Sequence, residues 1–193
     1  MRSVVSAVAL ALLSAPAGAD ADAAGSKPPR VELVTNHGAI TVELDAARAP
    51  ESTANFLRYV RDGHYDGTVF HRVIAGFVAQ GGGYDAEYAE RPTRSPVRNE
   101  SKNGLSNARG TIAMARTADP DSATSQFYFN LADNSRLDGA EGRWGYTVFG
   151  RVTEGLEVLD KIAKVPTGPG GPFRSDVPQA PVVIESAKVL DET

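Results

Sequence analysis

The sequence predicts a mainly β protein: an antiparallel barrel closed on itself, with two α-helices over its open ends. Three observations point there. Two stretches carry helical spacing, Pro50 to Gly63 and the run after Thr153, and the rest is dominated by short apolar runs punctuated by Gly, Asn and Asp. Helix and strand patterns do not alternate regularly, which argues against a doubly wound parallel sheet. Each helix has one apolar stripe to bury, and a closed barrel removes exposed edges while offering ends for those stripes to seal.

In chain order, Met1-Arg2-Ser3, a ten-residue apolar region from Val4 to Leu13 and Ala17-Gly18-Ala19 form the pattern of a secretory signal, residues 1–19. Ten apolar residues are too few for a bilayer, which needs about 20, so no membrane insertion is expected after cleavage. Residues 20–29, rich in Ala, Asp, Gly and Pro, read as a flexible leader, and 30–193 as one folded domain. The expected destination is periplasmic or secreted.

Val31 and Leu33, then Ile40, Val42 and Leu44, alternate with polar residues around Asn36-His37-Gly38, a hairpin signal. Pro50 starts a helix that Gly63 ends, with Phe56, Leu57 and Val60 on one side. Phe70, Val73 and Ile74 suit a strand, Gly76 a turn, and Phe77, Val78 and Gln80 a second strand with Val78 and Gln80 on one face. Gly110 to Ala115, Gln126 to Leu131 and Gly145 to Val152 read as further strands. A helix capped by Thr153 carries the stripe Leu156, Leu159, Ile162 and Ala163, and Val182, Ile184 and Val189 close the chain with a strand. Gly81 to Gly104 and Pro166 to Pro181 are long loops, the second a plain surface connection.

The net charge is −4 and no Lys/Arg-dense stripe is present, which argues against nucleic acid or an anionic membrane as partner. The absence of cysteine excludes a disulfide framework, a thiol nucleophile and a lipid-anchored cysteine. Motifs for a nucleophile elbow, a zinc helix or a phosphate loop are absent, and the three histidines are scattered, so no metal site is expected. His71 reads as a satisfied core histidine.

Arg72 is the anomaly. A guanidinium cannot lose its proton and is rarely placed in an apolar run unless something pairs with it or uses its donors. With Gln80, Gln126 and several aromatics, it suits a reaction that makes and breaks no bond, such as rotation about an X-Pro peptide. Amide resonance sets that barrier at about 18–20 kcal/mol. Twisting the bond returns a lone pair to the prolyl nitrogen, and a fixed guanidinium aimed there would favour the twisted state.

Four ordered segments, FHRVIAGFVAQGGG (Phe70 to Gly83), GTIAMAR (Gly110 to Arg116), SATSQFYFNLADN (Ser122 to Asn134) and WGYTVFGRV (Trp144 to Val152), resemble the cyclophilin-type peptidyl-prolyl isomerases. Asn103-Gly104-Leu105 to Thr111 resembles their bacterial, exported branch. The likeness spans Val31 to Val189. It implies eight barrel strands, two capping helices, no cofactor and proline-containing polypeptides as partners. A monomer is expected.

By the same likeness, Arg72 is the catalytic arginine, Phe77 the floor of the proline pocket, and Gln80 the residue that orients arginine or substrate. Val78, Ala115, Gln126 and Leu137 fall on substrate-contact positions, and Arg116 stands where many members have an asparagine. Tyr128 replaces a pocket phenylalanine, and its hydroxyl needs a partner or water if buried. Tyr146 replaces a histidine, and Arg136 a tryptophan of cyclosporin-sensitive members, so cyclosporin binding is expected to be weak. Two other classes stand beside this one: a proline-peptide-binding chaperone with little isomerase activity, and a lipocalin-like carrier with a wide barrel interior.

Overall fold

The computed structural model describes residues 27–190. The expected signal and most of the expected leader lie outside the described residues. The leader's last residue is already part of the fold, since Pro29 accepts a hydrogen bond from the Leu44 N–H at 2.8 Å.

Among the described residues, ten strands and two α-helices follow in order: β1 (Arg30–Thr35), β2 (Gly38–Leu44), α1 (Pro50–Arg61), β3 (Arg72–Ile74), β4 (Val78–Gly81), β5 (Thr111–Met114), β6 (Phe127–Asn130), β7 (Val148–Glu154), α2 (Leu156–Ile162), β8 (Thr167–Gly170), β9 (Phe173–Pro178) and β10 (Ile184–Leu190). Eight strands form one antiparallel sheet in the order β10-β1-β2-β7-β5-β6-β4-β3. The other two, β8 and β9, pair separately, so the expected plain connection from Pro166 to Pro181 is in fact a hairpin.

The sheet curls but does not close, which corrects the expected closed barrel. Its edge strands β10 and β3 share no ladder. The only strand-like link between the two edges among the described residues is an isolated bridge, Val69 to Val183, upstream of both strands. The physical reason lies on the β10 edge, where the N–H of Ala187 is taken by the Asp66 side chain at 2.9 Å and the Ile184 carbonyl by the Gly67 N–H at 2.8 Å. A turn thus satisfies the groups that a closing strand would need. At three residues, β3 is also too short to run beside β10, and β9 packs next to it instead.

Alternation sorts the strand residues into two clusters. Ala79, Ile112, Met114, Phe127, Phe129 and Phe149 join the main core with Val31, Leu33, Ile40 and Val42. Their sequence neighbours Val78, Ala113, Tyr128 and Val148 build a second cluster on the other face. The main core is aromatic: Phe56 meets Tyr65 at 5.2 Å and Phe127 edge-on at 5.5 Å between ring centroids. These side chains fill the concave face, so the wide interior required by a carrier reading is occupied.

Pro50 begins α1, and Phe56, Leu57 and Val60 enter the core as their spacing predicts. No residue of the helix caps it through its own side chain. Glu100 does so from a distant loop, accepting the N–H groups of Glu51 at 3.0 Å and Ser52 at 2.9 Å and the Ser52 hydroxyl at 2.7 Å. For α2 the sequence places the cap two residues early. Thr153 lies in β7 with its hydroxyl on the Thr41 carbonyl at 3.3 Å, and the helix starts after Gly155, whose φ of 85° favours glycine. Val158, Leu159 and Ile162 are its buried residues, while Leu156 is only partly covered.

Candidate active site

Neighbouring strands β3, β4 and β6 set the site on the face away from the aromatic core. Arg72 stands opposite Gln80, and Gln80 opposite Tyr128, in the two ladders. The three side chains therefore share one side of the sheet. The Gln80 amide donates to Gln126 Oε1 at 2.9 Å and accepts from Arg72 Nη1 at 3.4 Å. Gln126 can approach this closely because residue 83 is glycine: a Cβ there would stand 2.5 Å from the Gln126 Cγ. That close approach is what the run Gly81-Gly82-Gly83 provides here.

Beside this polar row lies the second apolar cluster, formed by Val78, Ala113, Ala115, Tyr128 and Val148, with Phe77, Leu105, Leu137 and Tyr146 packed against it. The residues singled out from the sequence are thus gathered on one face. Arg116 joins through its contacts with the neighbouring loop: Nε donates to the Gly145 carbonyl at 3.0 Å and Nη2 to that of Trp144 at 3.1 Å, with the guanidinium 4.5 Å from the Tyr146 ring centroid. Arg136, the middle residue of a short 3-10 turn at Ser135–Leu137, lies 4.9 Å from the Phe77 ring centroid.

The Tyr128 hydroxyl has a protein partner, donating to Asn107 Oδ1 at 2.7 Å. Burial, with Tyr146 and Asp138 adding to it, pushes that hydroxyl well above the usual tyrosine range, so it stays a neutral donor. Asn107 is itself fully buried, and it donates its amide to Asp138 Oδ1 at 2.8 Å. Asn130 donates to Asn107 Oδ1 at 3.2 Å, Asn134 donates to Asn130 at 2.8 Å, and Asn134 also reaches the Phe77 carbonyl at 2.9 Å. Burial alone would raise the Asp138 carboxyl, but the Asn107 N–H, the Ser106 hydroxyl and the Asn107 amide hold it below the ordinary range.

Sequence reasoning missed this network of Asn107, Asn130, Asn134 and Asp138. One signal for it was available. Asn130 closes the aromatic strand FYFN, a polar residue in an apolar run just as Arg72 is. His71 departs from expectation in another way. It is buried between Tyr84 and Phe173, at 4.7 Å and 5.3 Å between ring centroids, but its Nδ1 has no hydrogen-bond partner. Burial, followed by the neighbouring Arg72 charge, lowers its pKa to about 4.

The site thus sets an arginine held by a neutral amide beside an apolar cluster, on the face of a curled eight-stranded sheet opposite its aromatic core. Comparison with known proteins identifies the family. The family model for cyclophilin type peptidyl-prolyl cis-trans isomerases matches residues 30–189. Peptidyl-prolyl cis-trans isomerase A of Dickeya dadantii is 50% identical over 167 residues, covering 86% of this chain and 87% of that protein. Peptidyl-prolyl cis-trans isomerase B of Escherichia coli is 48% identical over 165 residues, covering 83% and 99%.

Among solved structures, a cyclophilin type isomerase of Cryptosporidium parvum determined in the presence of the dipeptide Ala-Pro superposes with a TM-score of 0.69 at 25% identity. That match covers 83% of this chain and 98% of the other. The chain belongs to the cyclophilin-type peptidyl-prolyl cis-trans isomerases.

Proposed function

We propose that this chain accelerates rotation about X-Pro peptide bonds by holding the proline against Phe77 and offering the Arg72 guanidinium to the prolyl nitrogen as the amide twists. The observation that carries this reading is the partner of Arg72. A half-buried arginine most often meets a carboxylate, yet Arg72 donates to the neutral Gln80 amide. The positive charge and most of its N–H donors stay available, fixed in direction by the Gln80–Gln126 pair.

The chemistry follows from amide resonance. In the planar bond the prolyl nitrogen is a poor acceptor because its lone pair is delocalised; in the twisted bond it is a good one. A guanidinium on that nitrogen therefore binds the transition state better than either isomer, which raises the rate instead of merely tightening binding. A 10⁵-fold gain needs about 7 kcal/mol, within reach of one charged donor plus positioning. Phe77, Val78, Ala115, Tyr128, Leu137 and Tyr146 supply the apolar seat, and Gln80, Gln126 and Arg116 hold the flanking backbone. The Ala-Pro dipeptide present with the Cryptosporidium parvum relative supports proline-containing peptides as partners.

Two expectations accompany this reading. Export to the periplasm or the medium is the destination the signal pattern at 1–19 supports, and it is tested by the N-terminal sequence of protein recovered outside the cytoplasm. Weak cyclosporin binding follows from Arg136, whose charge would be desolvated under an apolar ligand.

The deciding experiment compares the cis-to-trans rate of a short Xaa-Pro peptide with the folded domain and with its Arg72→Ala variant, folding being checked by circular dichroism. Arg72→Ala should lose roughly 10²–10³-fold in kcat/KM. A folded variant with full activity would sink the mechanism. A parent that binds the peptide without accelerating it would make the protein a binding chaperone instead.

A further inference from the structure

Five arginines elsewhere on the surface are ion-paired, Arg30 with Glu154, Arg48 with Asp45, Arg94 with Asp62, Arg109 with Asp160 and Arg151 with Glu43, while Arg91 donates to the Asp66 carbonyl. Around the site the arginines donate to neutral groups. Arg72 meets Gln80, Arg116 meets only backbone carbonyls and the Tyr146 ring, and Arg143 donates to the carbonyls of Arg136 and Asp138. Arg136 lies over the Phe77 ring with no carboxylate partner. Of the nearby acids, Asp138 accepts from Ser106 and Asn107 and also feels the Arg143 charge, and Asp133 accepts the Arg109 N–H. Among the described residues, Arg72, Arg116 and Arg136 thus bring positive charge without a carboxylate hydrogen-bond partner to one face of a chain whose net charge is −4.

We infer that this cationic collar selects X-Pro segments carrying a carboxylate next to the proline, and that Arg136 is the residue that reads it. The inference rests on the proposed function, since it takes Phe77 as the proline seat. The Arg136 guanidinium is exposed and 4.9 Å from the Phe77 ring centroid. An extended chain advances about 3.5 Å per residue, so the first or second residue from a proline seated on Phe77 comes within reach of that guanidinium. A planar fork of donors over an aromatic ring matches a carboxylate in geometry as well as charge. The field of the other arginines adds attraction along the approach, and salt screens it because the groups are exposed.

The test uses four short peptides that differ only in Glu or Gln, placed either just after the proline or two residues before it. The readout is the Glu/Gln ratio of kcat/KM at low salt and at about 0.5 M salt. The expected result is a ratio of roughly 5 or more for at least one placement, shrinking toward one at high salt. The same ratio should collapse to about one in Arg136→Gln and fall below one in Arg136→Glu, whatever those variants do to the rate on neutral peptides. A ratio near one in the parent, or a parental ratio that survives in Arg136→Gln, overturns the inference and leaves the isomerase reading standing. Absence of catalysis on all four peptides overturns both.

Discussion

Tyr128 donates its hydroxyl to Asn107 Oδ1 at 2.7 Å, so the tyrosine in the apolar cluster is anchored from behind and not left to seek water in the site. Asn130 shares the same acceptor at 3.2 Å. Tyr128→Phe should therefore cost only about 1 kcal/mol, because Oδ1 keeps one donor, and should leave kcat/KM within about threefold. Asn107→Ala should cost roughly 2–4 kcal/mol, since it strands the Tyr128 hydroxyl and removes a buried partner of Asp138. Urea denaturation of both variants separates the two cases; equal losses would show that the hydroxyl bond does not organise the network.

Gln80 accepts from the Arg72 guanidinium without neutralising its charge. Gln80→Ala should lower kcat/KM about tenfold with little change in stability, because Arg72 loses its guide but keeps its charge. Gln80→Glu should also lower activity, here by drawing Arg72 into an ion pair. Peptide isomerisation rates check this, and a fully active Gln80→Glu would mean that the charge of Arg72 need not be free.

The proposed reaction contains no group that titrates near neutrality, since arginine keeps its proton and Tyr128 is held neutral. The kcat/KM profile should be flat from about pH 6 to 9. A bell-shaped curve in that range would point to a general acid or base that this reading lacks.

Stability should nevertheless depend on pH through His71. Burial, then the Arg72 charge, lowers its pKa from 6.5 to about 4, so between those values the unfolded chain binds the extra proton. Stability from this residue is complete above pH 6.5 and is lost as the pH falls toward 4, a change on the order of 3 kcal/mol. His71→Phe keeps the ring between Tyr84 and Phe173 and should flatten the slope relative to the parent. Thermal or urea unfolding at pH 4.5 and 7.5 measures it; parallel pH curves for parent and variant would contradict the assignment.

Glu100 should matter to α1 despite lying outside it. Glu100→Ala removes the acceptor for the N–H groups of Glu51 and Ser52 and should cost about 1–2 kcal/mol. The loss should appear as faster amide hydrogen exchange in the first turn of α1. Unchanged exchange there would mean water replaces the carboxylate without penalty.

The sequence by itself determined what depends on neighbours a few residues away. Proline at position 50 and the spacing of Phe56, Leu57 and Val60 specify α1 and its buried face. Period two separates Val78 and Gln80 from Ala79, which places the site opposite the core before any partner is known. The oddity of Arg72 in an apolar run singles it out as the proposed donor. Only the tertiary structure decided which groups meet across long separations: Glu100 at the start of α1, Asn107 beneath Tyr128, Asp66 on the edge of β10 and the neutral partner of Arg72. It also decided that the sheet stays open, because closure depends on whether distant edges meet in register before a nearby turn satisfies them. Local steric and periodic rules act along the chain, whereas hydrogen-bond partners are settled by proximity in the packed fold, which no short window of sequence contains.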